Sequence, residues 1–156
     1  MTISPQTLRG HEEPFSVQFS VFLANRIGQL KELMDILLAE NINVLGLSVV
    51  DSTDWAVIRL VLDDPGKARE KLKARGLPFT ESEVLLAELS GPTSMREICQ
   101  HLLHMEINVH FAYPLIYRTS GNPVMVLHLD DPSVAAQALV RHNFKIIGQE
   151  DLGDLW

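Results

Sequence analysis

The chain of 156 residues contains an internal repeat. Ile42-Asn43-Val44 returns as Ile107-Asn108-Val109, a shift of 65 positions, and Leu62-Asp63-Asp64-Pro65 returns as Leu129-Asp130-Asp131-Pro132, a shift of 67 positions. A repeat of this length indicates that one supersecondary unit is used twice, so the fold of one copy predicts that of the other. We expect function where the two copies differ.

Each copy begins with a strand and a helix. Apolar residues alternate with polar ones from Phe15 to Leu23, which predicts a half-buried strand. Apolar residues then recur at i, i+3, i+4, i+7 and i+8, which predicts one core-facing helix surface in each copy. Cys99 takes the position of Met34 and is therefore expected in the core. The predicted core positions are Leu30, Leu33, Met34, Leu37 and Leu38, and then Met95, Ile98, Cys99, Leu102 and Leu103.

A strand hairpin, a second helix and a closing strand complete each copy. Asp64-Pro65 and Asp131-Pro132 predict helix starts, with Asp as the cap and Pro in the first turn. Gly76 and Asn143 are expected to end these helices in the left-handed conformation. The predicted strands are Val44–Val50, Trp55–Leu62 and Phe79–Ser82 in the first copy, and Val84–Leu89, Val109–Tyr117, Val124–Leu129 and Lys145–Ile147 in the second.

The order of these elements defines the fold class. Strand-helix-strand-strand-helix-strand is the order of the ferredoxin-like fold. We therefore predict an α+β protein of two ferredoxin-like βαββαβ repeats, with antiparallel sheets and the helices on one face. The expected domains are a lead-in at 1–14, the first repeat at 15–82 and the second at 83–156. Units of this size are marginal alone, so we expect them to pack together.

Charge and cysteine content limit the classes of partner. The net charge of −7 argues against nucleic acid and against anionic membranes, since both are bound by clustered Lys and Arg. The single cysteine and the absence of a secretory leader favour a cytoplasmic protein. Because no catalytic motif is recognisable, we predict that the chain is not an enzyme.

Two segments of the first copy resemble the ACT domain. Asn25-Arg26-Ile27-Gly28-Gln29-Leu30 follows the pattern N-x-x-G-x-L after the first strand, and Ile42-Asn43-Val44 follows the pattern that opens the second strand. The resemblance covers residues 15–82 closely and 83–152 through the repeated Ile-Asn-Val and the helix pattern. It implies a regulatory module that binds an amino acid or related metabolite between domains, forms a homodimer or larger assembly, and needs no cofactor.

The first loop also has the chemistry of a ligand site. Gly28 stands where a strand passes into a helix, and the backbone amides there lack helical partners and attract carboxylates. A purely structural interpretation is that Gly28 forms a tight turn and Asn25 caps the helix. The predicted ligand-binding residues are Asn25, Arg26, Ile27, Gly28, Gln29, Leu30, Asn43 and Val44.

The second copy departs from this pattern. Ser90 replaces Asn25, and Thr93 replaces Gly28, so a Cβ stands where the backbone was open. We predict a weaker second site, or a structural role for this copy. The residues of the weaker site are Thr93, Ser94, Asn108 and Val109.

Three alternatives stay open at this stage. His101, His104, His110 and Cys99 are close in sequence and suggest a metal site, although a solvated helix face explains the histidines more simply, so we predict no metal. The chain is alternatively the regulatory small subunit of a separate biosynthetic enzyme such as acetolactate synthase. It is otherwise a ligand-free structural interaction module. The terminal residues Leu152, Leu155 and Trp156 are unusually apolar, and we expect this tail to dock on another surface, whether of this chain or of a partner.

Overall fold

The first copy of the repeat forms a four-stranded sheet with two helices. The structure is a computed structural model that describes residues 14–117 and 121–154. Residues 17–82 form one compact unit, within which the strand order is β2-β3-β1-β4. Its elements are β1 Ser16–Ala24, α1 Gln29–Ala39, β2 Val44–Asp51, β3 Trp55–Leu62, α2 Pro65–Ala74 and β4 Phe79–Glu88.

The second copy forms the same arrangement. Residues from Glu83 onward, together with Pro14–Ser16, form the other compact unit. Strand β4 lies there between β6 and the short β7, which gives the order β7-β4-β6-β5. Its further elements are α3 Ser94–His104, β5 Val109–Pro114, β6 Val124–Leu129, α4 Pro132–Arg141, β7 Ile146–Ile147 and α5 Gln149–Asp154. The predicted α+β fold of two ferredoxin-like βαββαβ repeats is confirmed.

Two strand predictions differ from the structure. The strands predicted at Phe79–Ser82 and Val84–Leu89 are one strand, β4, because no glycine or proline interrupts residues 79–88. Strand β5 ends at Pro114 and not at Tyr117, and Leu115 adds one isolated bridge in which its N–H donates to the Val124 carbonyl at 2.9 Å.

The signals at the ends of the second helices act as predicted. The Asp64 carboxylate accepts a hydrogen bond from the Lys67 amide at 3.1 Å, and Asp131 accepts one from the Val134 amide at 3.4 Å. Gly76 has φ +66° and Asn143 has φ +68°, so both adopt the left-handed conformation after their helices.

The core face of the first helix in each copy is narrower than predicted. Leu30 is 37 % exposed, Leu38 is 71 % exposed, Leu103 is 73 % exposed and Cys99 is exposed. The core positions predicted for these four residues are therefore wrong. Since each helical residue turns by about 100°, positions five apart lie about 140° from each other, and Leu38 therefore points away from the side that buries Leu33. The buried residues of these helices are Leu33, Ile36 and Leu37 in α1 and Ser94, Ile98 and Leu102 in α3.

Each unit has its own apolar core between sheet and helices. In the first unit it centres on Phe19, Leu33 and Leu60, and in the second on Leu85, Ile98 and Leu127. Leu152 of α5 is buried, whereas the lead-in 1–13, Leu155 and Trp156 lie outside the described residues. Within residues 14–117 and 121–154, no helix is both long and apolar enough to cross a bilayer.

Candidate functional site

Gly28 begins α1 in the left-handed conformation, with φ +88°. A Cβ added to Gly28 would meet no atom within 4 Å, so the position requires glycine for its backbone angle and not for lack of space. The Gly28 carbonyl accepts the Glu32 amide at 3.0 Å, which starts the helix. Thr93 at the equivalent position has φ −94°, so the two loops differ in backbone conformation.

Asn25 fastens this loop to the β2–β3 turn. Its Nδ2 donates to Asp51 Oδ1 at 2.9 Å and to the Ser52 carbonyl at 3.2 Å. The Asn25 amide also donates to the Asp54 carbonyl at 3.2 Å. Asn25 therefore organises the loop through the neighbouring hairpin, and it does not cap α1.

Asn43 lies at the opposite end of that hairpin. Its backbone N–H and its Nδ2 donate to the Asp63 carboxylate at 2.8 and 2.7 Å. In the register of β2 and β3, Val44 pairs with Leu62, whereas Asp51, beside Asn25, pairs with Ala56. Eight strand residues span roughly 26 Å. The structure therefore does not bring Asn43 and Val44 to the Gly28 loop of the same chain.

A cavity of about 210 Å³ opens beside the Gly28 loop, and we call it the Arg26 cavity. Two guanidinium groups and one carboxylate line it, which gives it a formal charge of +1. Of the predicted residues, Arg26 and Gln29 belong to the wall, whereas Ile27 and Leu30 are exposed. Two wall residues were not predicted: Glu32 comes from the first turn of α1, and Arg75 from the end of α2. The wall consists of Leu23, Arg26, Gln29, Glu32, Leu33, Ile36, Arg75 and Leu77.

The residues predicted for the weaker site are separated in the same way. Thr93 Oγ1 donates to Glu97 Oε1 at 2.9 Å, and the buried Ser94 Oγ accepts the Gly91 amide at 3.1 Å. Asn108 lies at the far end of the β5–β6 hairpin, where its carbonyl accepts the Asp130 amide at 3.1 Å. Thr93 and Ser94 are therefore not brought to Asn108 and Val109.

A second cavity occupies the equivalent place in the second repeat, and we call it the Glu88 cavity. Its volume is about 240 Å³. Its wall includes Glu97 and His142, which correspond in the repeat to Glu32 and Arg75 of the Arg26 cavity. The wall consists of Glu88, Ser90, Glu97, Asn122, His142, Asn143, Phe144 and Lys145.

The histidines do not form the metal site considered as an alternative. His101 stacks on His142 with the ring centroids 3.8 Å apart, and burial, followed by the nearby His142 and His104, lowers the pKa of His101. His110 Nε2 instead lies 2.6 Å from Asp130 Oδ1. In the part of the chain that the structure describes, no three His, Cys, Asp or Glu side chains are grouped to hold a metal ion.

Comparison with known structures supports the fold. Protein BT0572 from Bacteroides thetaiotaomicron superposes with a TM-score of 0.83 at 22 % identity, over 92 % of this chain and 99 % of that one. The ligand-free regulatory subunit of aspartate kinase from Thermus thermophilus gives 0.58 at 15 % identity, over 82 % and 91 %. E. coli aspartokinase III in complex with aspartate and ADP gives 0.50 at 17 % identity, over 90 % and 34 %.

The family of the chain is identified by comparison of its sequence with known families. No curated protein matches the chain significantly. The profile of the family described as an ACT domain pair matches residues 15–156, which includes both repeats. The chain therefore belongs to the ACT domain pair family.

Proposed function

We propose that this protein is a regulatory module that binds a small amino acid or a related carboxylate-bearing metabolite at the first repeat. Membership of the ACT domain pair family supports a regulatory role. The observation that carries the proposal is the Arg26 cavity beside the left-handed Gly28.

The groups around that cavity suit an amino acid. The guanidinium groups of Arg26 and Arg75 are forked donors that match a carboxylate, and Gln29 adds amide donors. Glu32 offers the carboxylate that an ammonium group needs. At about 210 Å³ the cavity is smaller than the roughly 300–1,000 Å³ typical of drug-sized ligands. Its size therefore favours a ligand no larger than an amino acid.

We place Asn43 and Val44 in the same function through a second copy of the chain. Both lie far from the Gly28 loop of their own chain, so they reach a site at that loop only if another copy supplies them. Exposed apolar side chains on and beside α1, namely Ile27, Leu30 and Leu38, support such self-association. Light scattering is expected to show a homodimer or larger assembly. The L38K substitution places a charge on the exposed apolar surface and is expected to lower the mass of that assembly.

A thermal-shift screen against the common amino acids tests the binding proposal. We expect at least one amino acid to raise the melting temperature of the wild type. G28D places a carboxylate beside the Arg26 cavity and is expected to reduce that rise, with an unchanged far-ultraviolet circular dichroism spectrum. G91A alters the equivalent loop of the second repeat and serves as the control. An unchanged ligand response in folded G28D would refute the proposed site.

A second candidate is the regulatory subunit of a separate amino-acid biosynthetic enzyme. The exposed Leu38 and Leu103 favour a protein partner of some kind. Purification of the tagged chain from its own cells tests this function, since a large catalytic chain should then copurify in fixed stoichiometry. If no amino acid changes the melting temperature, the ligand-free interaction module is favoured.

A further inference from the structure

The second repeat buries a carboxylate where the first buries a hydrocarbon. Glu88 and Leu23 occupy the same position of the repeat, at the end of the strand that precedes the ligand loop. Leu23 is 4 % exposed and Glu88 is 6 % exposed. Burying a carboxylate is unfavourable unless it is paired, so this replacement needs a compensating partner.

The described residues pair only one of the two carboxylate oxygens. Asn122 Nδ2 donates to Glu88 Oε1 at 2.7 Å. Glu88 Oε2 is buried, and no described residue donates a hydrogen bond to it. A carboxylate oxygen accepts up to two hydrogen bonds, and leaving it without any costs the full loss of its hydration. Within the described residues, this oxygen therefore lacks the donor that would offset its burial.

Glu88 is one of the residues that line the Glu88 cavity. Glu97 contributes a second carboxylate and Ser90 a hydroxyl, and both lie on the wall with Asn122. Lys145 adds one positive charge, which leaves a formal charge of −1 when His142 is neutral. The equivalent Arg26 cavity carries +1, so the two repeats offer opposite charges at the same place.

The donor that fits these groups is a primary ammonium. An ammonium group has three N–H donors and no acceptor, which matches two carboxylates and a hydroxyl. Lys145 offers a counter-charge for the carboxylate of an α-amino acid at the same cavity. A divalent metal fits less well, because no group of three acidic or histidine ligands is found among the described residues.

We propose that the second repeat has its own binding site, in which the Glu88 carboxylate receives the ammonium group of an amino acid or small amine inside the Glu88 cavity. The site does not depend on the Gly28 loop. Its success or failure is therefore separate from that of the site proposed for the first repeat.

Paired probes that differ only in the ammonium group test the proposal. Isothermal titration compares each common L-amino acid with its 2-hydroxy acid, for example alanine with lactate, and adds ethylamine as an ammonium without a carboxylate. In a G28D background, where the first-repeat site is blocked, we expect at least one amino acid or ethylamine to bind, the matching hydroxy acid to fail, and the added E88Q substitution to lower the affinity at least tenfold.

Two further variants separate this site from the first. E88L restores the residue of the first repeat; it is expected to abolish binding at this site while it leaves the protein folded. G28D is expected to leave the binding at Glu88 unchanged. If E88Q and E88L do not fold, the NMR amide spectrum of the wild type tests the proposal instead. Addition of the probe must then shift the signals of residues 88–97, 122 and 142–145. Equal affinity for E88Q, shifts confined to other residues, or no binding by any ammonium probe would overturn the proposal.

Discussion

Asn43 and Asp63 are joined by two hydrogen bonds, from the Asn43 amide at 2.8 Å and from its Nδ2 at 2.7 Å, both to the Asp63 carboxylate. They fasten the start of β2 to the residue after β3. The asparagine of the Ile-Asn-Val element thus has a structural role within the chain.

We expect N43A to lower the free energy of unfolding by about 1 kcal/mol, since it removes one exposed, charge-assisted hydrogen bond. Urea denaturation measures this loss. N108A is the matched control, because no hydrogen bond of the Asn108 side chain is found within the described residues, and it should change stability little. Equal losses for both variants would contradict the structural role of the Asn43–Asp63 contact.

Replacing Gly28 by alanine tests the backbone angle directly. A residue with a Cβ at φ +88° is expected to cost about 1 kcal/mol of stability, although the added methyl meets no neighbour. G91A, where φ is not positive, should be neutral or slightly stabilising, because alanine restricts the unfolded chain. Thermal unfolding of both variants measures the difference in stability. If G28A were as stable as the wild type, the loop would have to change its backbone conformation to accept alanine.

Arg69 and Glu81 form a forked ion pair, with Nε to Oε2 at 2.9 Å and Nη2 to Oε1 at 2.5 Å. The hydrogen bonds from Arg69 hold the pKa of the Glu81 carboxyl below its usual value, against the opposing effect of partial burial. Since both side chains are about one-third exposed, E81Q should cost only about 0.5–1 kcal/mol at pH 7.

The pH dependence of this pair has a definite sign. A depressed folded-state pKa adds stability above the unfolded value of about 4.3, and that stability is lost as the pH falls through the folded value. E81Q should therefore differ from the wild type at pH 7 and approach it in strong acid. D35N, which breaks the exposed Lys31–Asp35 pair, is the control and should have little effect.

His101 should make the protein less stable in mild acid. Its pKa is lowered first by burial and then by the charges of His142 and His104, while Glu97 opposes the shift. The unfolded chain, with an ordinary histidine pKa of about 6.5, then binds the proton more readily than the folded one. Between pH 7.5 and pH 5.5, the melting temperature should fall less for H101Q than for the wild type. An equal fall in both proteins would refute this contribution of His101.

Local signals predicted the framework of the fold well. Asp64 and Asp131 each cap a helix, and Gly76 and Asn143 each turn the chain, because capping and positive φ depend on residues close in sequence. The exposure of Leu38 and Cys99 was not predicted. An apolar spacing defines a helix face only to within about one residue, and the sheet decides which part of that face is buried.

The candidate sites were harder to predict for a related reason. Asn43 and Gly28 match one motif in sequence, yet the strand register places them at opposite ends of a hairpin. Arg75 reaches the Arg26 cavity from the end of a distant helix, which no local pattern reveals. The unusual position of Glu88 could have been found in the sequence, because the repeat aligns it with Leu23 within an apolar strand. Finding it requires a comparison of the strand ends of the two copies, whereas the predicted sites rest on a comparison of their loops.

Because Glu88 stands where the first repeat has Leu23, we expect the second unit to open locally more readily near this position. Local opening begins where buried contacts are weakest, and amide hydrogen exchange measures its free energy. Since Glu88 leaves one buried oxygen unpaired, amides of β4 near Glu88 should exchange faster than those of β1 near Leu23. A ligand that pairs with the carboxylate slows this exchange by mass action. Ligand binding to the second repeat would then lengthen the lifetime of its closed state, and the presence of the ligand could be sensed through this change without catalysis.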